Sequence, residues 1–263
     1  MTVRNFNRGL LSVLAPLVVG VAVLAIWQSV CHFMHIPPYL LPAPSDILRS
    51  LIVNWPILLD ALGSTLKVTV LAFVISAVLG ILLAFCCAQS RLVALCVFPY
   101  IIILQVTPIV AVAPLIIILV KAPSVALVVC AVVIAIFPVV SNTLQGLQNI
   151  DPDLESYFRM HKATRLQTLL RLRIPSAIPL IMAGLRISSG LSLVGAVVAE
   201  FVAGTGGSGS GLAYEILQSG FQMDIPRMFA ALVLITLTGL LLYLIMITLQ
   251  HMILRRWAPK SDR

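Results

Sequence analysis

Charge is scarce in this sequence. Only 10% of its 263 residues are Asp, Glu, Lys or Arg, against about 25% in soluble domains, and that shortage excludes a soluble globular class. There is no GxxxxGK[ST], hence no P-loop for a nucleotide, and no HExxH or nucleophile–base arrangement with workable spacing. A GxGxxG formed by Gly204, Gly206 and Gly209 follows no strand and opens no βαβ unit, so it reads as a flexible loop. The five cysteines (Cys31, Cys86, Cys87, Cys96, Cys130) lie in or beside apolar runs, without histidines at metal-ligand spacing. They read as small buried hydrophobes, and neither a metal nor a cofactor is expected. No basic patch is interleaved with aromatics, so nucleic acid is not an expected partner.

Hydrophobicity takes the place of charge. Apolar residues make up 60% of the chain, its mean hydropathy is +1.11, and its apolar runs are long enough to cross the roughly 30 Å hydrocarbon core of a bilayer. An all-α integral membrane protein with about six transmembrane helices is expected. The first span is read over Leu10–Val30, too long for a signal-peptide core and without a small-residue cleavage site. Pro37, Pro38, Pro42 and Pro44 then forbid a continuous helix, and Ser45 is expected to cap a short amphipathic helix with Asp46 in its first turn. Further spans are read over Thr65–Ala88, Val93–Val120 as one span kinked by its prolines with room for an interfacial lead-in, Ala126–Asn142, Ile178–Phe201 and Met228–Gln250.

One long polar interval interrupts the apolar pattern: Asp151 to Pro179, carrying Arg159, Lys162, Arg165, Arg171 and Arg173 at helical spacing. The formal net charge of +8 is distributed with it. Arg4, Arg8, Arg91, these five residues, Arg255, Arg256, Lys260 and Arg263 fall on one side of the six-span scheme, and Arg49, Lys67, Lys121 and Arg227 on the other. Basic residues concentrate in cytoplasmic loops, so the asymmetry implies that both termini and the 151–179 interval are cytoplasmic. Gln105, Thr107 and Arg186 are polar at membrane depth and are expected to face protein or a translocation path, although an ordinary interhelical hydrogen bond or a snorkelling Arg186 is also open. Glu200, at the outer end of the fifth span, either lines the mouth of a path or is solvated. The small residues of that span, among them Gly184, Ser188, Gly190 and Gly195, point to close helix–helix or subunit contact.

The polar interval, DPDLESYFRMHKATRLQTLLRLRIPSAIP, resembles the EAA loop of bacterial ABC-importer permeases, E-A-A-x(3)-G followed at fixed distance by I-x-L-P. Leu172, Ile174 and Pro175 take the I-x-L-P places; Ser156, Tyr157 and Phe158 replace E-A-A, Lys162 replaces the glycine, and Glu155 stands one position early. The stretches YLLPAPSDIL, LQVTPIVAVAPL and AEFVAGTGGSGSGLAYEI resemble the nitrate, sulfonate and taurine subfamily, so the likeness covers nearly the whole chain.

The resemblance implies a type I ABC importer permease fold in a bacterial inner membrane. Residues 1–62 would hold the first span and an outer amphipathic segment, 63–254 the permease domain, and 255–263 a cytoplasmic tail. It implies a second permease copy, two copies of an ABC ATPase gripping the 151–176 loops, and a periplasmic or lipid-anchored solute-binding protein. Catalysis is then expected on the ATPase, and this chain is not expected to be an enzyme. Within the loop, Arg159, Lys162, Ala163 and Arg165 belong to the coupling segment, the three cations as partners for acids on the ATPase, with Tyr157, Phe158 and Met160 as an apolar knob. Phe158→Ala is accordingly expected to weaken ATPase association more than Lys162→Ala. The alternative is an ion-coupled secondary transporter, which calls for paired midplane acids and two matching halves; neither is seen.

Overall fold

The computed structural model describes residues 3–204 and 210–257, and every regular element among them is helical. Gly206 and Gly209 of the glycine-rich segment, the tail residues Lys260 and Arg263, and the side chains of Arg4, Arg8 and Arg256 lie outside the described residues. In chain order the elements are α1 (Val3–Phe33), α2 (Pro44–Val53), α3 (Trp55–Gln89), α4 (Arg91–Val106), α5 (Ile109–Leu119), α6 (Pro123–Gln148), α7 (Pro152–Met160), α8 (Arg165–Thr168), a π-helical turn (Leu169–Arg173), α9 (Ile174–Ala203), α10 (Leu212–Phe221) and α11 (Ile225–Trp257). Among the described residues, five helices are long and apolar enough to cross a membrane, and up to six if α4 and α5 form one bent span.

The stretch read as one kinked span over 93–120 consists of two helices, and the bend between them is sharper than a kink: α4 and α5 meet at 103°. Of the three prolines, Pro99 and Pro114 sit inside helices, and Pro108 makes the break. Pro108 has no N–H to donate, and its ring forces Thr107 into an extended conformation (φ −67°, ψ 123°).

Two compact units emerge. One comprises residues 1–59 and 215–234. Here α2 is capped differently from expectation: Ala43, not Ser45, is the N-cap, and the Ala43 N–H donates to Asp46 Oδ2 at 3.2 Å. Ser45 serves the first helix instead, its N–H donating to Gln28 Oε1 while its hydroxyl accepts from Gln28 Nε2, both at 3.1 Å. Ile47 is buried and Leu48 exposed, so α2 presents one apolar face inward. At the turn between α10 and α11, Met223 takes a left-handed φ of 57° and Asp224 Oδ1 accepts the Arg227 N–H at 3.2 Å. The Arg227 guanidinium donates to Glu215, and both side chains are nearly out of solvent.

The other unit comprises residues 60–214 and 235–263. At its centre α6 and α9 pack against each other along much of their length. The small residues of α9 are used here, within one chain. A methyl group on Gly195 would stand 2.7 Å from Ala131 Cα, and one on Gly184 would stand 2.7 Å from the Pro138 carbonyl oxygen, so only glycine permits this approach. Ser188 Oγ adds an interhelical bond to the Ala135 carbonyl at 2.8 Å. Gly190, by contrast, faces open space.

Candidate coupling loop and membrane-depth polar residues

The polar interval folds as a capped helix, a reversal, a second short helix and a widened turn leading into α9. Asp151 caps α7, its Oδ1 accepting the Asp153 N–H at 2.9 Å, and Pro152 occupies the first turn, where a missing N–H costs nothing. Thr164 caps α8 in a reciprocal box: Thr164 Oγ1 accepts the Gln167 N–H at 3.2 Å, and Gln167 Oε1 accepts the Thr164 N–H at 2.9 Å. The T-x-x-Q spacing is a signal that sequence reasoning passed over. The π-helical turn was also missed. Its last bond runs from the Ile174 N–H to the Leu169 carbonyl, and the wider turn gives room to the Pro175 ring, which in an α-turn presses on the carbonyl four residues back.

Lys162 stands where the family motif has glycine, and its φ is +50°. A lysine thus holds a left-handed conformation that glycine adopts at no steric cost. We expect Lys162→Gly to stabilise the loop by about 1 kcal/mol; slower protease nicking between α7 and α8 checks this, and faster nicking than wild type would refute it.

The side chains of α7 divide between two faces. Tyr157, Met160 and Leu154 are exposed, at 56%, 77% and 46% of their full accessibility. Tyr157 stacks on His161 at a centroid distance of 4.3 Å. Phe158 is half-buried and, with Tyr157, lines a small cleft closed by Gln167 and Arg171. Ser156 is exposed. Glu155 and Arg159, one turn apart, face a different cavity of about 410 Å3, shared with Ala163, Arg165 and Arg173. Arg173 donates to Glu155 at 3.3 Å, in a pair more than a third exposed and worth at most about 1 kcal/mol. Leu172 is buried, Ile174 and Pro175 half-buried, so the I-x-L-P end anchors the loop to the spans.

The four polar residues at membrane depth do not converge within this chain. Gln105 is exposed. Thr107 is half-buried, its hydroxyl donating to the Ile103 carbonyl at 2.7 Å in its own helix. Arg186 is half-buried on α9, and no ion pair to it occurs among the described residues.

Glu200 is not solvated. It is 4% exposed, and its Oε2 accepts from the Thr65 hydroxyl at 3.0 Å and from the Ala213 N–H at 3.2 Å. Thr65 Oγ1 in turn accepts the Leu212 N–H at 2.9 Å. Glu200 and Thr65 together satisfy the first free N–H groups of α10, and Gly211 lets the carboxylate approach, since a Cβ there would sit 2.1 Å from it. Nothing in the sequence pairs positions so far apart.

This is a polytopic helical membrane protein with a structured helical loop between two spans. The chain belongs to the binding-protein-dependent transport system inner membrane component family, whose model matches residues 76–259. It is 29% identical to a probable ABC transporter permease protein of Haemophilus influenzae, over 88% of this chain and 92% of that one. It is also 29% identical to the formylaminopyrimidine transport permease protein ThiX of Halalkalibacterium halodurans, over 94% and 97%. With a putative aliphatic sulfonates transport permease protein of Bacillus subtilis it shares 27% identity, over 85% and 80%. Among solved structures, an amino acid ABC transporter crystallised with histidines matches with a TM-score of 0.63 at 22% identity, covering 79% of this chain and 97% of that one, a likeness of fold. The protein is thus the inner-membrane permease component of an ABC importer, which works with an ATPase and a solute-binding protein. An ion-coupled secondary transporter is not favoured.

Proposed function

We propose that two copies of this chain enclose the translocation path, that both termini are cytoplasmic, and that two ATPase subunits grip the 151–176 segments. Residues 63–254 form the conducting domain, ATP hydrolysis belongs wholly to the partner, and the solute is a small pyrimidine-like, sulfonate or nitrate compound. Gln105, Thr107, Arg186 and Glu200 are the candidates for the path. The observation that carries the coupling reading is the exposed apolar face of α7: Leu154, Tyr157 and Met160 lie uncovered on a helix held rigid by caps at its own start and at the start of α8. Apolar and aromatic anchors contribute more to an interface than rim charges do. ATPase closure then moves α7 as a rigid body, and the buried Leu172 transmits the movement to α9.

Co-purification tests it. The tagged permease is expressed with its ATPase, extracted in mild detergent, and compared with a variant lacking residues 157–165 and with Tyr157→Ala/Met160→Ala. The expected result is a complex in the wild type, its loss in the deletion, and at least a tenfold weaker complex in the double variant, since anchor residues each carry about 2 kcal/mol. Equal capture of all three would overturn the coupling role of this segment.

A further inference from the structure

We infer that the open cavity bounded by α7, α8, the π-helical turn and the end of α3 is a binding site for the phosphate headgroup of an anionic phospholipid. The cavity measures about 410 Å3, and its charged walls are Arg159, Arg165, Arg173 and Glu155. Three guanidiniums against one carboxylate leave a double positive excess, and the single acid is already engaged by Arg173. Arginine's fork of N–H donors matches a phosphate's oxygens.

Depth selects the ligand. The remaining walls include Ala88 and Gln89, the last residues of a membrane-spanning helix, and Arg173 is followed directly by the first residue of α9. The cavity therefore opens where two spans leave the hydrocarbon, at headgroup level, where basic pockets between helices take acidic lipids. Helix geometry separates this site from the coupling surface. At 3.6 residues per turn, Glu155 and Arg159 share one face of α7, while Tyr157 and Met160 project from the opposite face. One short helix thus has an apolar side free for the ATPase and a charged side on the cavity, whose positive excess is completed by Arg165 and Arg173. The amount of acidic lipid would then set how firmly the coupling helix is seated. This rests on the cytoplasmic placement of residues 151–176, but its primary readout, lipid retention, needs no ATPase, so the two readings fail separately.

The full-length permease is reconstituted in nanodiscs of phosphatidylcholine and phosphatidylglycerol in equal amounts, extracted gently, and the retained lipid is counted by native mass spectrometry. Phosphatidylglycerol is expected to be retained in preference. The preference is expected to fall roughly fivefold for each arginine removed in Arg159→Gln/Arg165→Gln. It should persist in Arg159→Lys/Arg165→Lys, and in Arg171→Gln, which removes one charge from the same segment at a residue that lines the other cleft. Equal retention of both lipids by the wild type, or full retention by the glutamine variant, overturns the site. Displacement of the lipid by excess inorganic phosphate would make it a free-anion site instead. Unchanged lipid with lost ATPase capture in the glutamine variant would assign the arginines to acidic side chains of the ATPase, and would equally overturn the proposal.

Discussion

Glu215→Ala is expected to destabilise the protein by about 3–5 kcal/mol, the cost of leaving a buried charge without its partner. The charge concerned is Arg227, whose side chain retains only 12% of its accessibility and whose Nε has no hydrogen-bond partner. With Glu215 gone, the guanidinium either stays buried unpaired or pulls out into water. The second course opens the α10–α11 turn, where the backbone is already in a left-handed conformation at Met223. Thermal aggregation of the detergent-solubilised protein, followed by size-exclusion chromatography, would report the loss. A double variant, Glu215→Met/Arg227→Met, is expected to recover most of it, because paired apolar replacements avoid the orphaned charge. A single variant as stable as wild type would show that the pair contributes nothing.

The second large effect is expected at Glu200. Glu200→Ala removes the acceptor of the Thr65 hydroxyl and of the Ala213 N–H, and both donors are fully buried. Each orphaned group costs about 1–3 kcal/mol, so their sum should be plain in the same thermal assay. Glu200→Gln keeps a carbonyl oxygen in reach of both donors and should lose much less. This contrast separates the structural role of the residue from a role in transport. With the fold preserved in Glu200→Gln, uptake into proteoliposomes containing the ATPase and the solute-binding protein isolates the carboxylate's charge. Unchanged uptake would remove Glu200 from the path, and a large loss would place its charge there.

Glu200 also shows the limit of sequence reading. Its position at the end of the fifth span was legible, because that follows from counting apolar residues. Its environment was not, because Thr65 lies on α3 and Gly211 beyond a glycine-rich segment. The small residues of α9 behaved similarly: their number announced a close contact, yet α6 of the same chain, rather than a second subunit, fills the notch at Gly184 and Gly195. In the polar loop of residues 151–176, local signals were available. Asp151–Pro152 and Thr164-x-x-Gln167 are helix starts that depend on nearest neighbours alone. Lys162 was visible as a departure from the glycine of the family motif, but the sequence did not reveal that this lysine takes a left-handed φ.

What the sequence determined by itself was the class of molecule, the approximate places of its spans and the loop between the fourth and fifth. These rest on hydrophobic length and basic-residue asymmetry, one-dimensional quantities set by bilayer thickness. Tertiary structure alone decided the 103° break at Thr107–Pro108, the carboxylate that caps α10, and the separation of charged and apolar faces on α7. A proline reveals that a helix is weakened but not how far it turns. A buried acid or arginine takes its role from groups brought beside it by packing, and contacts between distant positions exist only once the helices have met.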